Sequence, residues 1–354
     1  MADLTGKTLG PYRIINRIGR GGMATVYKVR STTGKIFAAK VLDPDLYRDR
    51  RKRDRFRSEY EILSRMRSKR IIKPIDWVEG RGLLCMVLEF VDGMDLAQVL
   101  KLKSKLPEDV VLHILMEVSL ALRECHRKQL YHRDLKPENI LISRKGAIKL
   151  IDFGVVRDMD VKRTLAGTVL GTLDYMAPEQ IEGSWDEVDH RADIYGLGVL
   201  VYEMLSRRLP IRFSGKDSII EVLNKKKKRK PPAMKTLSSV LHEFCTILIS
   251  PDQGDRPQNI DEILEFIRQF KKPETLKASY QSWLDILQFP ESPGAKKKAK
   301  IPPKKKKVKS PVKNSKSQKQ PLPRGLAFFI LRVVVFLISV GAVLAIWLGK
   351  SWLS

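Results

Sequence analysis

The 354-residue chain has only three cysteines, Cys85, Cys125 and Cys245, too scattered for a disulfide framework or a metal-ligand spacing. Such usage suits a reducing compartment. The start lacks a charged-then-apolar leader: Met1 to Leu9 is polar and short, so no secretory signal is expected. No internal repeat is evident. Acidic residues stop at Glu291. Beyond it lie twelve lysines between Lys296 and Lys319, then Arg324, Arg332 and Lys350, which hold fifteen of the 27 net positive charges. Apolar residues are plentiful at 43%, enough to bury a sizeable core in a chain long enough for about two average domains.

Chemistry concentrates in Tyr131-His132-Arg133-Asp134-Leu135-Lys136-Pro137-Glu138-Asn139. Asp134 can accept a proton from a hydroxyl. Lys136 can reach a transferring phosphoryl group, and Asn139 can ligate a metal ion through its side-chain oxygen. Pro137 stiffens the loop because its ring fixes φ.

Upstream, Pro11 to Val29 alternates apolar and polar residues around a glycine cluster and predicts a hairpin. The cluster is Ile18-Gly19-Arg20-Gly21-Gly22-Met23-Ala24-Thr25-Val26-Tyr27, and glycines let backbone N–H groups approach phosphate oxygens. Lys40 ends the apolar run Phe37-Ala38-Ala39-Lys40-Val41 and needs a partner, since burying an unpaired ammonium is costly. Glu59 and Glu61, beside the helically spaced Phe56, Ile62 and Leu63, are the candidates. Leu83 to Gly93 reads as a buried strand breaking into a turn, and Pro107 to Arg127 as a helix with Val110, Ile114, Leu115, Val118 and Leu122 on one face. A strand then leads into Asp152-Phe153-Gly154, and Gly171 to Glu179 ends in Ala177-Pro178-Glu179.

In this order the motifs resemble those of eukaryotic-type (Hanks-type) protein serine/threonine kinases, in a style closer to bacterial membrane-anchored members. The resemblance spans about Tyr12 to Phe270. It implies an α+β, bilobal protein-kinase fold, with a β-rich small lobe over about 1–92 and an α-rich large lobe over about 93–272. It implies ATP and Mg²⁺ (or Mn²⁺) as cofactors and proteins with Ser or Thr as substrates. Asp134 is then the catalytic base and Lys136 the phosphate contact, with Asn139 and Asp152 the metal ligands. Nucleotide contacts fall on Ile18, Gly19, Arg20, Gly21, Gly22, Met23, Ala24, Val26, Ala38, Lys40, Glu89, Val91 and Leu141. Ala24 stands where the family's third loop glycine would be. Glu59 becomes the preferred partner of Lys40. Thr164 and Thr168 are the activation-loop phosphosite candidates, and Thr172 belongs to the substrate pocket. Arg133, Glu179, Asp193 and Arg256 take structural roles, Glu179 paired with Arg256, and His132 packs on Phe153. The family also suggests a homodimer through the small lobe.

Two basic runs, Arg48 to Arg57 and Lys225 to Lys230, read as solvated, the second in a loop. Residues 273–290 form an apolar-striped helical extension that caps the domain. Residues 291–325 are a Lys/Pro-rich disordered linker. Residues 326–348 are apolar and long enough for one C-terminal transmembrane helix, which needs about 20 residues, and 349–354 form a short tail. By the positive-inside rule the kinase side is cytoplasmic, in a bacterial plasma membrane or, alternatively, as a eukaryotic tail anchor. The linker lysines then attract anionic lipid, and this context argues against nucleic acid as the partner. The alternative function is a catalytically weak kinase-fold scaffold that binds lipid or protein through its basic runs.

Overall fold

The computed structural model describes residues 3–80, 82–102, 106–153, 173–183, 188–214, 216–228, 231–234 and 239–290. The chain divides into two units, Met1–Leu264 with Pro273–Phe289, and Glu265–Lys272 with Pro290–Ser354. In the second, Arg268 pairs with Glu265 within one helical turn. All the chemistry below belongs to the first.

Its N-terminal lobe is an antiparallel sheet of β1 (Thr8–Leu9), β2 (Tyr12–Arg20), β3 (Ala24–Ser31), β4 (Ile36–Leu42), β5 (Pro74–Gly80) and β6 (Leu83–Glu89), in the order β1-β2-β3-β4-β6-β5. Side chains alternate across a strand, so Tyr27 and Val29 of β3 and Ala39 and Val41 of β4 turn to one core with Ile14, Cys85 and Val87. Between β4 and β5 runs α1 (Arg50–Arg65). Asp49 caps it by accepting from the Lys52 amide at 3.3 Å, satisfying one of the first-turn donors that a helix leaves open. Phe56 and Leu63, seven residues apart, are its buried face, and Phe56 meets Trp77 of β5.

The C-terminal lobe has a small sheet, β7 (Gly93–Asp95), β8 (Ile140–Ser143) and β9 (Ile148–Leu150), and helices α2 (Leu96–Leu102), α3 (Glu108–Arg127), α4 (Pro178–Glu182), α5 (Arg191–Ser206), α6 (Ile219–Lys228), α7 (Ser239–Leu248), α8 (Ile260–Phe270, of which the residues from Glu265 on belong to the second unit) and α9 (Pro273–Asp285). Glycine is required at 93: a Cβ there would lie 2.0 Å from the Ile142 carbonyl oxygen. Glu108 and Asp109 in the first turn of α3 suit the positive end of its dipole. α5 is buried nearly all round, from Ala192 to Leu205, which makes it the lobe's central pillar.

α9 closes over α3. Ser279 donates to Asp109 at 2.8 Å, and the Tyr280 ring stacks on His113 with centroids 4.4 Å apart. The helix stops at Asp285, short of the expected 290, and Leu287 is buried beyond it.

One reading is corrected. Lys225 to Lys228 are not in a loop but end α6, and Lys226 is only 1% exposed. Ile219, Val222, Leu223 and Lys226 follow the i, i+3, i+4, i+7 spacing of a single helix face. A run of like residues hid the one that faces inward. Among the described residues no helix is long and apolar enough to cross a membrane; the segment 326–348 lies outside them.

Candidate active site

Lys40 sits on β4 between Ala39 and Val41, both fully buried in the core, so strand alternation turns its own side chain the other way. Its Nζ lies 2.6 Å from Glu59 Oε1 of α1 and 2.7 Å from Asp152 Oδ1, just past β9. Burial alone would lower the ammonium. The charges of Asp152 and Glu59 outweigh it and hold Lys40 above its ordinary range. Desolvation likewise pushes Asp152 up, and Lys40 more than reverses that, leaving the carboxyl below the usual range. Glu59, sharing the same lysine, is raised by desolvation.

Opposite stands the loop 131–139, hung on a single buried carboxylate. Asp193 of α5, 1% exposed, accepts from the His132 amide at 2.9 Å and the Arg133 amide at 2.7 Å, and takes the His126 ring at 2.8 Å. Those bonds hold Arg133 at φ 59°, left-handed backbone that costs a non-glycine residue about 1–2 kcal/mol. Asp152 adopts the same conformation, at φ 54°, as do Gln129 and Arg207 away from the site. The His132 ring donates from Nε2 to the Ile151 carbonyl at 2.9 Å and rests 4.9 Å from the Phe153 ring. The chain just before Asp152 is thereby tied to the chain just before Asp134. Backbone strain of this kind persists where surrounding structure over-determines it.

On this frame Lys136 Nζ is 2.9 Å from Asp134 Oδ2. Asn139 Nδ2 donates to the Asp134 carbonyl at 2.7 Å and to its carboxylate at 3.2 Å. The amide nitrogen is thus committed to Asp134, which leaves the Asn139 side-chain oxygen as acceptor. With the Asp152 carboxylate, 44% exposed, it makes a hard oxygen pair, the donor chemistry that Mg²⁺ or Mn²⁺ takes alongside phosphate oxygens. The residues fit such an ion.

The glycine-rich turn closes with Gly21 donating to the Ala24 carbonyl at 2.8 Å. Ala24 is an ordinary β3 residue paired with Leu42, its methyl buried, so alanine meets no backbone demand for glycine. Gly19 pairs with Val26 and Arg20 with Thr25, while Ile18 is 44% exposed. Gly22 and Met23 form the turn itself. Ala38 is registered with Leu88 and Val26 with Lys40. Glu89 accepts from Lys149 at 2.5 Å and, with Val91, lies in the strand-to-turn crossing between lobes; Leu141 is on β8, beside it. Arg256 donates to both oxygens of Glu179. Thr164, Thr168 and Thr172 lie outside the described residues.

Several participants carry no motif of their own. Gln180 donates to the Arg133 carbonyl at 2.9 Å and accepts from the Ala177 amide, linking the segment after the Ala-Pro-Glu start to the loop. Tyr175 donates to Glu203 at 2.5 Å. His126, in the last turn of α3, reaches Asp193; its place at the end of the α3 periodicity is the available signal.

Residues 12–266 match the protein kinase domain family. The chain is 34% identical over 294 residues to the serine/threonine-protein kinase PknA of Corynebacterium glutamicum, covering 78% of this chain and 62% of that one. It is 30% identical over 293 residues to a probable serine/threonine-protein kinase of Clostridium perfringens, covering 81% and 42%. It is 34% identical over 260 residues to the probable serine/threonine-protein kinase PknB of Lactococcus lactis, covering 72% and 41%. The chain therefore spans about half the length of these relatives.

Proposed function

We propose that this chain, which belongs to the protein kinase domain family, transfers the γ-phosphoryl group of ATP to serine and threonine hydroxyls of proteins. The observation that carries the proposal is the contact of Asp134 with both Lys136 and Asn139, opposite a Lys40 already paired to Glu59 and Asp152. Asp134 orients the acceptor hydroxyl and takes its proton. Lys136, held against that carboxylate, neutralises charge on the transferring phosphoryl group. Lys40 grips the α- and β-phosphates, and the backbone of the 19–24 turn covers them. A bound Mg²⁺ or Mn²⁺, held by Asn139 and Asp152, supplies further charge neutralisation at the phosphates.

Names of relatives favour serine/threonine specificity, and the basic, acid-free sequence after Glu291 favours a tether. In this reading 326–348 spans a bilayer, and the linker lysines add about 1 kcal/mol each near anionic lipid. Autophosphorylation falls on Thr164 or Thr168.

The test is phosphoryl transfer by the full chain with ATP and Mg²⁺ or Mn²⁺, with phosphosites mapped by mass spectrometry. Asp134→Asn should lower kcat about 10²–10⁴-fold, the usual worth of a positioned base, with ATP affinity unchanged. Equal turnover by that variant would remove Asp134 from the mechanism; no turnover by the wild type would remove the proposal.

A further inference from the structure

Lys226 is a cation where the fold calls for an apolar side chain. It completes the apolar stripe of α6 formed by Ile219, Val222 and Leu223, and that stripe packs on Leu173, Met176 and Ile181. Leucine or methionine would satisfy the same face. Instead the ammonium donates to the Asp174 carbonyl at 2.9 Å and lies 5.0 Å from the Tyr195 ring centroid and 5.3 Å from that of Phe213. The Tyr195 ring carries a second cation, Arg256, also 5.0 Å away. Isolated buried charge is destabilising, and its replacement by apolar groups often is not. Core filling therefore does not account for it.

Its acceptor is well placed for another role. Tyr175, Met176 and Gln180, immediately beyond Asp174, line one cavity with Arg133, Asp134 and Leu135. Gln180 is bonded to the Arg133 carbonyl. A shift of the Asp174 backbone is therefore passed within two residues to the wall beside the base.

We propose that Lys226 is a positioning residue for the hydroxyl-bearing substrate: its ammonium pins the Asp174 carbonyl, and with it the wall of residues 173–180 beside Asp134, so that peptide affinity depends on its proton. The inference rests on the kinase reading above. The groups that face it are Asp174 and Glu179 on the pinned segment, the Tyr195 hydroxyl on α5, 3.4 Å away, and Arg256. Its neighbours in the run are otherwise engaged, Lys225 with Asp217 and Lys227 with Glu182.

Burial pushes Lys226 down to about 7, against the pull of Asp174 and Glu179, while burial lifts Asp174 to about 6. The ammonium is thus about three-quarters populated at pH 6.5 and largely lost by pH 8.5. The unfolded chain keeps its proton to about 10.5, so from about 7 upward this group adds stability as pH rises. Weakening of the pin at high pH is then not loss of the fold.

The experiment compares the full-length wild type, Lys226→Met and Lys226→Arg, with a Ser/Thr peptide as substrate. At pH 6.5, Lys226→Met should raise peptide KM about fivefold or more, with ATP KM unchanged and the melting temperature not lowered. At pH 8.5 the gap between the two KM values should narrow, because the neutral amine donates a weaker hydrogen bond than the ammonium. Lys226→Arg, charged throughout, should hold a pH-independent KM. Equal KM for wild type and Lys226→Met at both pH values, or the same ratio at both, overturns the proposal. Should the wild type transfer no phosphate, the kinase reading fails separately. Hydrogen–deuterium exchange over residues 173–180 then decides the pin: it must be faster in Lys226→Met than in wild type at pH 6.5, with a smaller ratio at pH 8.5, after correction for intrinsic rate, and no difference at pH 6.5 overturns it.

Discussion

Arg256 clasps Glu179 across 77 residues of sequence with two hydrogen bonds of 2.7 and 2.9 Å, its guanidinium fully buried. The same guanidinium donates to the carbonyls of Ser250, Arg191 and Pro251, so three chain segments converge on one side chain. Such a pair specifies geometry more than it adds stability.

Breaking it from one side should be costly. Glu179→Ala leaves a buried guanidinium without its counter-charge and is expected to destabilise by about 3–5 kcal/mol. Urea unfolding followed by fluorescence measures this. A change below about 1 kcal/mol would show that the surrounding carbonyls suffice for Arg256.

Lys40→Met removes the only cation between Glu59 and Asp152 that the described contacts show. Its kcat/KM should fall about 100–1,000-fold, the cost of deleting one preorganised donor from a reacting charge. Steady-state kinetics, with nucleotide binding by titration calorimetry, separates loss of ATP affinity from loss of turnover.

Asp193 should give the fold an acid-sensitive limb. Burial raises its carboxyl, but the His126 bond, the charges of His126 and His132 and the Arg133 amide outweigh that, so it lies below 3.8. A depressed native value means the unfolded chain binds the proton first as pH falls. Its contribution is present above about pH 4 and is lost as pH drops through the native value. Melting temperature scanned from pH 3 to 6 should fall less steeply for Asp193→Asn. That variant should also be less stable at pH 7 by about 1.5–3 kcal/mol, the worth of a hydrogen bond to charge.

α9 should prove integral to the domain. Leu276, Tyr280, Trp283, Leu284 and Leu287 are all at most 6% exposed. At about 1.5–3 kcal/mol each, an upper estimate, their burial is comparable to the whole margin of a typical domain. A chain ending at 272 should lose cooperative unfolding or precipitate, whereas one ending at 290 should melt in a single transition. Equal melting temperatures would assign α9 a peripheral place.

Where the candidate site residues stand close together in the chain, they were readable. Asp134, Lys136 and Asn139 occupy six positions of one loop, so their chemistry survives as a string. Strand and helix periods were equally plain for β3, α3 and α9. Lys226 was misread because a homopolymeric run has no contrast within it; only the apolar spacing upstream marks the inward member. Asp152 was assigned to metal but not also to Lys40, because that contact closes across 112 residues. Gln180 has no signature, since it acts by reaching a backbone carbonyl of another segment.

The sequence by itself determined the class of chemistry, the order of the lobes and which acid, amide and lysines are the candidates, because these depend on residue type and local spacing. Tertiary structure decided which charges share partners. Lys40 is divided between Glu59 and Asp152, Asp193 carries the strained Arg133, and Lys226 is buried over Tyr195. Electrostatic energy depends on distance and on exclusion of water, and neither is fixed until separate elements pack.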